Sequence, residues 1–176
     1  GTSGGGISIL SSQLLANSDF LTGAFPAEYG NALSGAFDLN LRKGNNENRE
    51  FTIQAGILGL DLAAEGPIAK NYKGSYLVNY RYSTLSLLSN IGLPLGDFVT
   101  NFQDLSFNIY LPTGSKSNIT LFGFGGLSDQ KGNALTDSLN WESEEDRYGS
   151  TFFSNTGAAG IKHSYSLNEA NFLQTT

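Results

Sequence analysis

Hydrophobic and polar residues alternate over most of the chain that follows residue 50. Phe51, Ile53 and Ala55, for example, stand between smaller or more polar neighbours. Successive side chains of a β-strand point to opposite sides, so a two-residue period predicts strands with one apolar and one polar side. The predicted strands cover 51–57, 60–65, 75–88, 103–111, 118–127 and 150–165, and a further strand begins at Asn171.

The stretch 75–88 shows this alternation most clearly. Tyr76, Tyr80 and Tyr82 share one side of the predicted strand, and Arg81 lies on the other side. Strands divided in this way fit a soluble β-sandwich, which buries the apolar side between two sheets. They also fit an outer-membrane barrel, which turns that side toward lipid.

The connections between the predicted strands differ in length. From Ala69 onward they run short, long, short, long, short: 69–74, 89–101, 112–117, 128–149 and 166–170. All the long connections would therefore emerge at one end of the sheet. This asymmetry is typical of an outer-membrane barrel, in which every strand must also be paired because lipid offers the backbone no hydrogen bonds.

The first 44 residues follow a different pattern, which is α+β in character. We expect short strands at 6–10 and 19–24, with a short helix from Ser11 or Ser12 to Asn17 between them. A turn is expected at Pro26, and a strand follows Gly35. Residues 45–50 form a polar linker. The chain thus changes architecture near Gly44.

The stretch AEYGNALSGAFDLNLRKG resembles the end of the plug domain of TonB-dependent outer-membrane receptors. The following LDLAAEGPI and SYLVNYRYS are similar to the versions of Bacteroidetes-type bacteria, and the resemblance spans at least residues 6–88. It implies that residues 1–44 are the C-terminal part of the plug and 45–50 a linker. Residues 51–176 would then be the first six to seven strands of a transmembrane β-barrel.

The resemblance assigns a structural role to the residues that match the plug-to-barrel motif, which are Tyr29, Gly30, Gly35, Lys43 and Gly44. It implies active import of a nutrient, such as a metal chelate, a vitamin or a glycan, across the outer membrane of a Gram-negative bacterium. The implied partners are membrane lipid, the unknown nutrient, a surface lipoprotein, and a TonB-type energy-transducing complex that acts through a segment absent here. Because the chain lacks Met and ends within a predicted strand, we expect it to be a fragment.

Charges on strands need a polar environment, since a base at mid-membrane costs about 2–4 kcal/mol when it faces lipid. Asp61 stands between two leucines and Arg81 between two tyrosines, so each points to the side of its predicted strand opposite to those apolar neighbours. We therefore expect both to face the barrel lumen. Facing a plug, the strand charges Asp61, Glu65, Arg81 and Asp104 can pair with polar groups such as Arg42 or Glu28.

Composition excludes several other classes of function. The net charge of −6 and the pI of about 4.6 argue against nucleic-acid binding. The chain has no Cys, so a disulfide framework and a thiolate metal site are impossible. His163 is the single histidine, and the sequence has no Gly-x-Ser-x-Gly motif of a nucleophile elbow, which argues against a catalytic triad. The acidic run 142–146 lacks the ligand spacing of a calcium loop. We expect no enzymatic activity, no cofactor and no metal site.

Two alternatives remain open on the pattern alone. One is a soluble or surface-attached β-sandwich that binds carbohydrate or protein. The other is a sugar- or ester-active enzyme on a β scaffold, for which the sequence offers little support. Charged residues make up 15% of the chain, which is low for a soluble domain, where about 25% is usual. The loop asymmetry and the family resemblance favour the barrel over the sandwich.

Overall fold

The computed structural model describes residues 11–22, 26, 35–56, 59–83, 85, 98–132, 134, 137–141 and 147–176. Two antiparallel sheets account for most of them, which confirms the prediction of a mainly β fold. The strands are β1 (Asp19–Thr22), β2 (Gly35–Asp38), β3 (Glu50–Gly56), β4 (Gly59–Pro67), β5 (Ser75–Ser83), β6 (Phe98–Pro112), β7 (Ser117–Gly132), β8 (Ser150–Ser166) and β9 (Phe172–Thr175).

Strands β3 to β9 form one sheet in which each strand pairs with the next strand along the chain. The hairpins place short turns at 68–74, 113–116 and 167–171 on one end of this sheet. Within the described residues, β3 and β9 are its outer strands. A 3-10 helix, Ser138–Asn140, lies in the connection between β7 and β8, where Asp137 caps it by accepting the backbone N–H of Leu139 at 3.0 Å.

Strands β6 and β7 are longer than the alternation predicts. The predicted loops 89–101 and 128–149 were too long, because Phe98–Phe102 pairs in register with Ser128–Gly132. The backbone of β7 also pairs there with β8, up to Gly132 opposite Ser150. Pairing on both sides satisfies the backbone groups of β7 whatever the side chains are, so β7 continues through a polar stretch, while residues 98–102 of β6 pair with β7 alone. Conversely, β5 ends at Ser83 rather than near residue 88.

The expected helix from Ser11 or Ser12 to Asn17 was wrong. Residues 12–14 form a turn, and Leu15 then makes an isolated antiparallel bridge with Leu41. Ala16 donates its N–H to Asn40 at 2.7 Å. Pairing with this distant segment replaces the local hydrogen bonds that a helix requires. Strand β1 confirms the first four residues of the strand expected at 19–24, and it pairs with β2, while residues 23 and 24 lie outside the described residues. The strand expected at 6–10 lies outside the described residues.

The two sides of the seven-stranded sheet differ in chemistry. We call the apolar face the side that carries Leu62, Tyr80 and Leu105, and the polar face the side that carries Asp61, Arg81 and Asp104. Register assigns these faces, because Asp61 stands opposite Arg81, and Arg81 opposite Asp104.

Burial on the two faces is the reverse of what a water-soluble core shows. Asn79, Asp104, Ser106 and Asn108 on the polar face are at most 2% exposed, whereas Leu62 is 39% and Leu105 is 49% exposed. The polar face is covered by the N-terminal segment, by which we mean described residues 11–22 and 35–49. Its Leu14 is fully buried. Among the described residues no helix has the length and hydrophobicity to cross a membrane.

Candidate functional site

Arg42 is the central contact between the N-terminal segment and the polar face. Its Nη1 and Nη2 donate to the two carboxylate oxygens of Glu65 on β4, at 2.8 and 2.7 Å. Its Nε donates to the carbonyl oxygen of Gln13 at 2.6 Å, and its own carbonyl accepts from Asn108 Nδ2 at 2.8 Å. One residue therefore joins both halves of the segment to β4 and β6. Two-bond arginine–carboxylate pairs are among the stronger and more directional polar contacts in proteins.

The environment of this pair favours its charged form. The backbone N–H of Asn45 donates to the Glu65 carboxylate at 2.7 Å, so that this buried carboxylate accepts three hydrogen bonds. Hydrogen bonding to Glu65 raises the pKa of the Arg42 guanidinium above its ordinary value, against the smaller lowering effect of burial. Asn45 also accepts the N–H groups of Glu47 and Asn48 through its side chain, which makes the predicted linker an ordered turn.

A second contact lies around Asp61. Its carboxylate accepts from Ser11 Oγ of the N-terminal segment at 2.8 Å and from the side-chain amide of Asn79 on β5. Ser11 and Asn79 are both buried. Asp61 itself is half-buried, and these two donors replace part of the water that its carboxylate loses.

The third contact joins two strands of the seven-stranded sheet, β5 and β6. Arg81 Nη2 lies 2.7 Å from Asp104 Oδ2, and the guanidinium stands 5.8 Å from the centre of the Phe102 ring. Asp61, Arg81 and Asp104 thus form one charged row across β4, β5 and β6. The structure places Asp61 and Arg81 together, on the side away from the leucines and tyrosines. The acid that Arg42 pairs with is Glu65, while Glu28 lies outside the described residues.

Close packing surrounds two glycines of the sequence motif. A Cβ on Gly44 would overlap the carbonyl oxygen of Tyr76 on β5, and one on Gly35 would lie 2.9 Å from the Phe20 ring on β1. Lys43 precedes Gly44 and places its ammonium 3.7 Å from the centre of the Tyr110 ring on β6. Lys43 and Gly44 therefore lie against the seven-stranded sheet, whereas Gly35 packs within the N-terminal segment. Tyr29 and Gly30 lie outside the described residues.

The remaining sequence candidates do not assemble a reactive centre in the described part of the chain. His163 Nε2 lies 3.0 Å from Ser117 Oγ on an exposed strand end, and Ser117 Oγ also bonds Thr113 Oγ1 at 2.9 Å. Among the described residues no group of three His, Asp or Glu side chains is arranged to hold a metal ion. The acidic run 142–146 lies outside those residues.

Compared with protein-family models, curated proteins and solved structures, the chain gives no match. The candidate site is therefore defined by its geometry, as a charged interface between the N-terminal segment and a sheet. The sequence named Arg42 as a group that can pair with the strand charges, and the structure shows this pair with Glu65. The sequence did not indicate that Asp104 pairs with Arg81, because that contact depends on the register between β5 and β6.

Proposed function

We propose that this chain is part of an outer-membrane receptor that imports a nutrient by TonB-dependent active transport. The observation that carries the proposal is the inverted burial of β4 to β6, where the polar face is largely buried and the apolar face is exposed. On β8 and β9 both faces are open, and Phe152 and Phe172 on the polar face are exposed as well. Large hydrophobic side chains are exposed on the apolar face of every strand from β3 to β9: Phe51, Ile53, Leu60, Leu62, Tyr82, Leu105, Leu127, Phe153, Ile161, Tyr165 and Leu173.

A contiguous apolar surface of this width needs an apolar environment around it, since soluble monomers rarely expose such patches to water. Lipid provides one. Strands β6, β7 and β8 have 15, 16 and 17 residues, which exceeds the roughly 9–11 residues that a tilted strand needs to cross a bilayer. The short turns at one end of the sheet support an orientation with that end toward the periplasm.

The N-terminal segment supports the receptor interpretation over a plain pore. It covers the polar face through Arg42, Ser11 and Asn45, as a plug covers the inner wall of a barrel. On this proposal, Asp61 and Arg81 face the lumen, and a TonB-type complex acts on the plug. The nutrient would be a metal chelate, a vitamin or a glycan. A surface lipoprotein is a further proposed partner.

The soluble β-sandwich remains a less favoured alternative. A sandwich buries its apolar sides between two sheets. Here the N-terminal segment packs on the polar side, and in the described residues the apolar side stays open. The enzyme alternative gains no observation from the geometry.

Adjacent positions on β8 give a direct test of the membrane orientation. Ile161 lies on the apolar face and Lys162 on the polar face. Because the chain has no cysteine, spin labels attached to Ile161→Cys or Lys162→Cys report single sites. In a lipid bilayer we expect molecular oxygen to relax the label at 161 and a water-soluble nickel chelate to relax the label at 162. Greater nickel access at 161 would contradict membrane burial of this face.

Transport requires a separate test in the producing bacterium. Deleting the gene should abolish energised accumulation of one of the three nutrient classes, and an uncoupler of the inner membrane should have the same effect. Equal accumulation in the deletion strain and the parent, for all three classes, would contradict the import proposal.

A further inference from the structure

A basic groove lies at the short-turn end of the sheet, away from the charged interface of the candidate site. It has a volume of about 740 Å³ between the turn 46–49 and the turn 67–73. Arg49, Lys70 and Lys73 line it, against the single acid Glu47. This local excess of positive charge stands out in a chain whose net charge is −6.

The three cations are available to a ligand. All are exposed, and within the described residues their side chains make no hydrogen bond or ion pair. Three cations and one acid leave the groove with a net positive charge, and an anion placed there reduces the repulsion among the cations. The groove is therefore electrostatically complementary to an anion.

Both walls of the groove are held by contacts outside it. Tyr72 donates its hydroxyl to the Pro112 carbonyl at 2.9 Å, and Ile68 donates its N–H to Gly74 at 3.1 Å. On the other wall, Asn45 accepts the backbone N–H of Glu47 at 2.8 Å. A binding surface that is ordered before the ligand arrives loses less conformational entropy on binding.

An apolar side chain borders the cations. Ile68 follows β4 directly, at the parity of Leu60 and Leu62, and is 41% exposed. The groove thus places positive charge beside the edge of the apolar face. A phospholipid has this same sequence of groups, a charged headgroup followed by acyl chains.

We propose that this groove binds the headgroup of an anionic phospholipid, with Arg49, Lys70 and Lys73 on the phosphate and Ile68 toward the acyl chains. Lys and Arg donate charge-assisted hydrogen bonds to phosphate oxygens, and basic pockets next to a membrane select anionic headgroups. This site differs in place and ligand from the nutrient path of the proposed function.

The test compares phosphatidylglycerol with phosphatidylcholine, which both carry a phosphate but differ in net charge. Native mass spectrometry of the whole chain in neutral detergent counts the lipid molecules retained. We expect retention of one phosphatidylglycerol and much weaker retention of phosphatidylcholine. The variant Lys70→Gln/Lys73→Gln should retain phosphatidylglycerol about tenfold less well. The control Lys116→Gln/Lys131→Gln removes the same charge from exposed lysines outside the groove and should leave retention unchanged.

Three results of the retention measurement would overturn the proposal, and a competition measurement gives a fourth. They are equal retention of both lipids, undiminished binding by Lys70→Gln/Lys73→Gln, and an equal loss in the control variant. Glycerol 1-phosphate separates a lipid site from a site for soluble phosphate esters: displacement of the lipid at equimolar concentration overturns the lipid assignment. If the chain proves soluble without detergent, the membrane proposal fails, but the groove can still be tested. Binding of short-chain phosphatidylglycerol, below its micellar concentration, then measures the affinity of the same site.

Discussion

Arg42 and Glu65, 23 positions apart in the chain, form a two-bond salt bridge that joins the N-terminal segment to β4. Glu65 is buried, and the same guanidinium also bonds the Gln13 carbonyl. This pair therefore connects the N-terminal segment, including Asn45 of the predicted linker, to the seven-stranded sheet at one point. Its removal is the most direct way to ask whether the segment is held by charge.

Replacing Arg42 by Met should release the N-terminal segment. The change leaves the buried Glu65 carboxylate without its cation, which typically costs about 3–5 kcal/mol. Hydrogen exchange should accelerate strongly at two backbone amides of the segment. These are the amide of Ala16, which bonds to Asn40, and the amide at position 42, which bonds to Leu14. The double variant Arg42→Met/Glu65→Met should recover part of the protection, because no unpaired charge remains. Exchange in Arg42→Met as slow as in the parent would show that the pair does not hold the segment.

Replacing Arg42 by Lys should make the contact sensitive to alkaline pH. The pKa of Arg42 is raised by Glu65, so its stabilisation is complete below the ordinary arginine pKa and is lost only as pH rises through the raised value. A lysine there begins to lose its charge near pH 10, and it forms one bond where Arg42 forms two. Between about pH 8 and 11, protease cleavage of the segment should rise in the variant and stay constant in the parent. Parallel profiles would exclude the ion pair as the cause.

Replacing Gly44 by Ala should destabilise the contact between the segment and β5. The new Cβ overlaps the Tyr76 carbonyl oxygen, and backbone on both sides leaves little room to adjust. We expect a loss of about 1–3 kcal/mol in the free energy of unfolding, measured with urea. Gly114→Ala is the matched control, since a Cβ there meets no atom within 4 Å. An equal effect of the two changes would place the cost in the unfolded chain instead.

Replacing Leu105 by Lys tests the apolar face in a bilayer. A base facing lipid near mid-membrane costs about 2–4 kcal/mol, so the fraction of chain recovered in lipid vesicles should fall. The control Leu139→Lys puts the same charge on a side chain that is 90% exposed in the 3-10 helix between β7 and β8. It should insert like the parent. Equal recovery of both variants would contradict lipid contact at Leu105.

The strands of the seven-stranded sheet were predictable from the sequence because they depend on a local property, the alternation of apolar and polar side chains. The alternation around Tyr80 and Arg81 placed each side chain on its face of β5, and the hairpin turns followed from the breaks between alternating runs. The ends of β6 and β7 were not predictable in this way. Residues 98–102 and 128–132 are strands because their backbones pair with each other, which no single segment reveals.

The candidate site was only partly predictable. Parity put Asp61 and Arg81 on one face, but their partners depend on a segment that folds back from far along the chain. Asn108 reaches the Arg42 carbonyl across 66 positions, and Ser11 reaches Asp61 across 50.

The sequence by itself determined the strands, their two unlike faces and the order of the hairpins, because a two-residue period encodes the direction of each side chain. Only the tertiary structure decided that Glu65 is the strand charge that pairs with Arg42, that Ser11 reaches Asp61, and that Lys70 and Lys73 share a groove with Arg49. Those relationships depend on distances between remote parts of the chain, which periodicity does not contain.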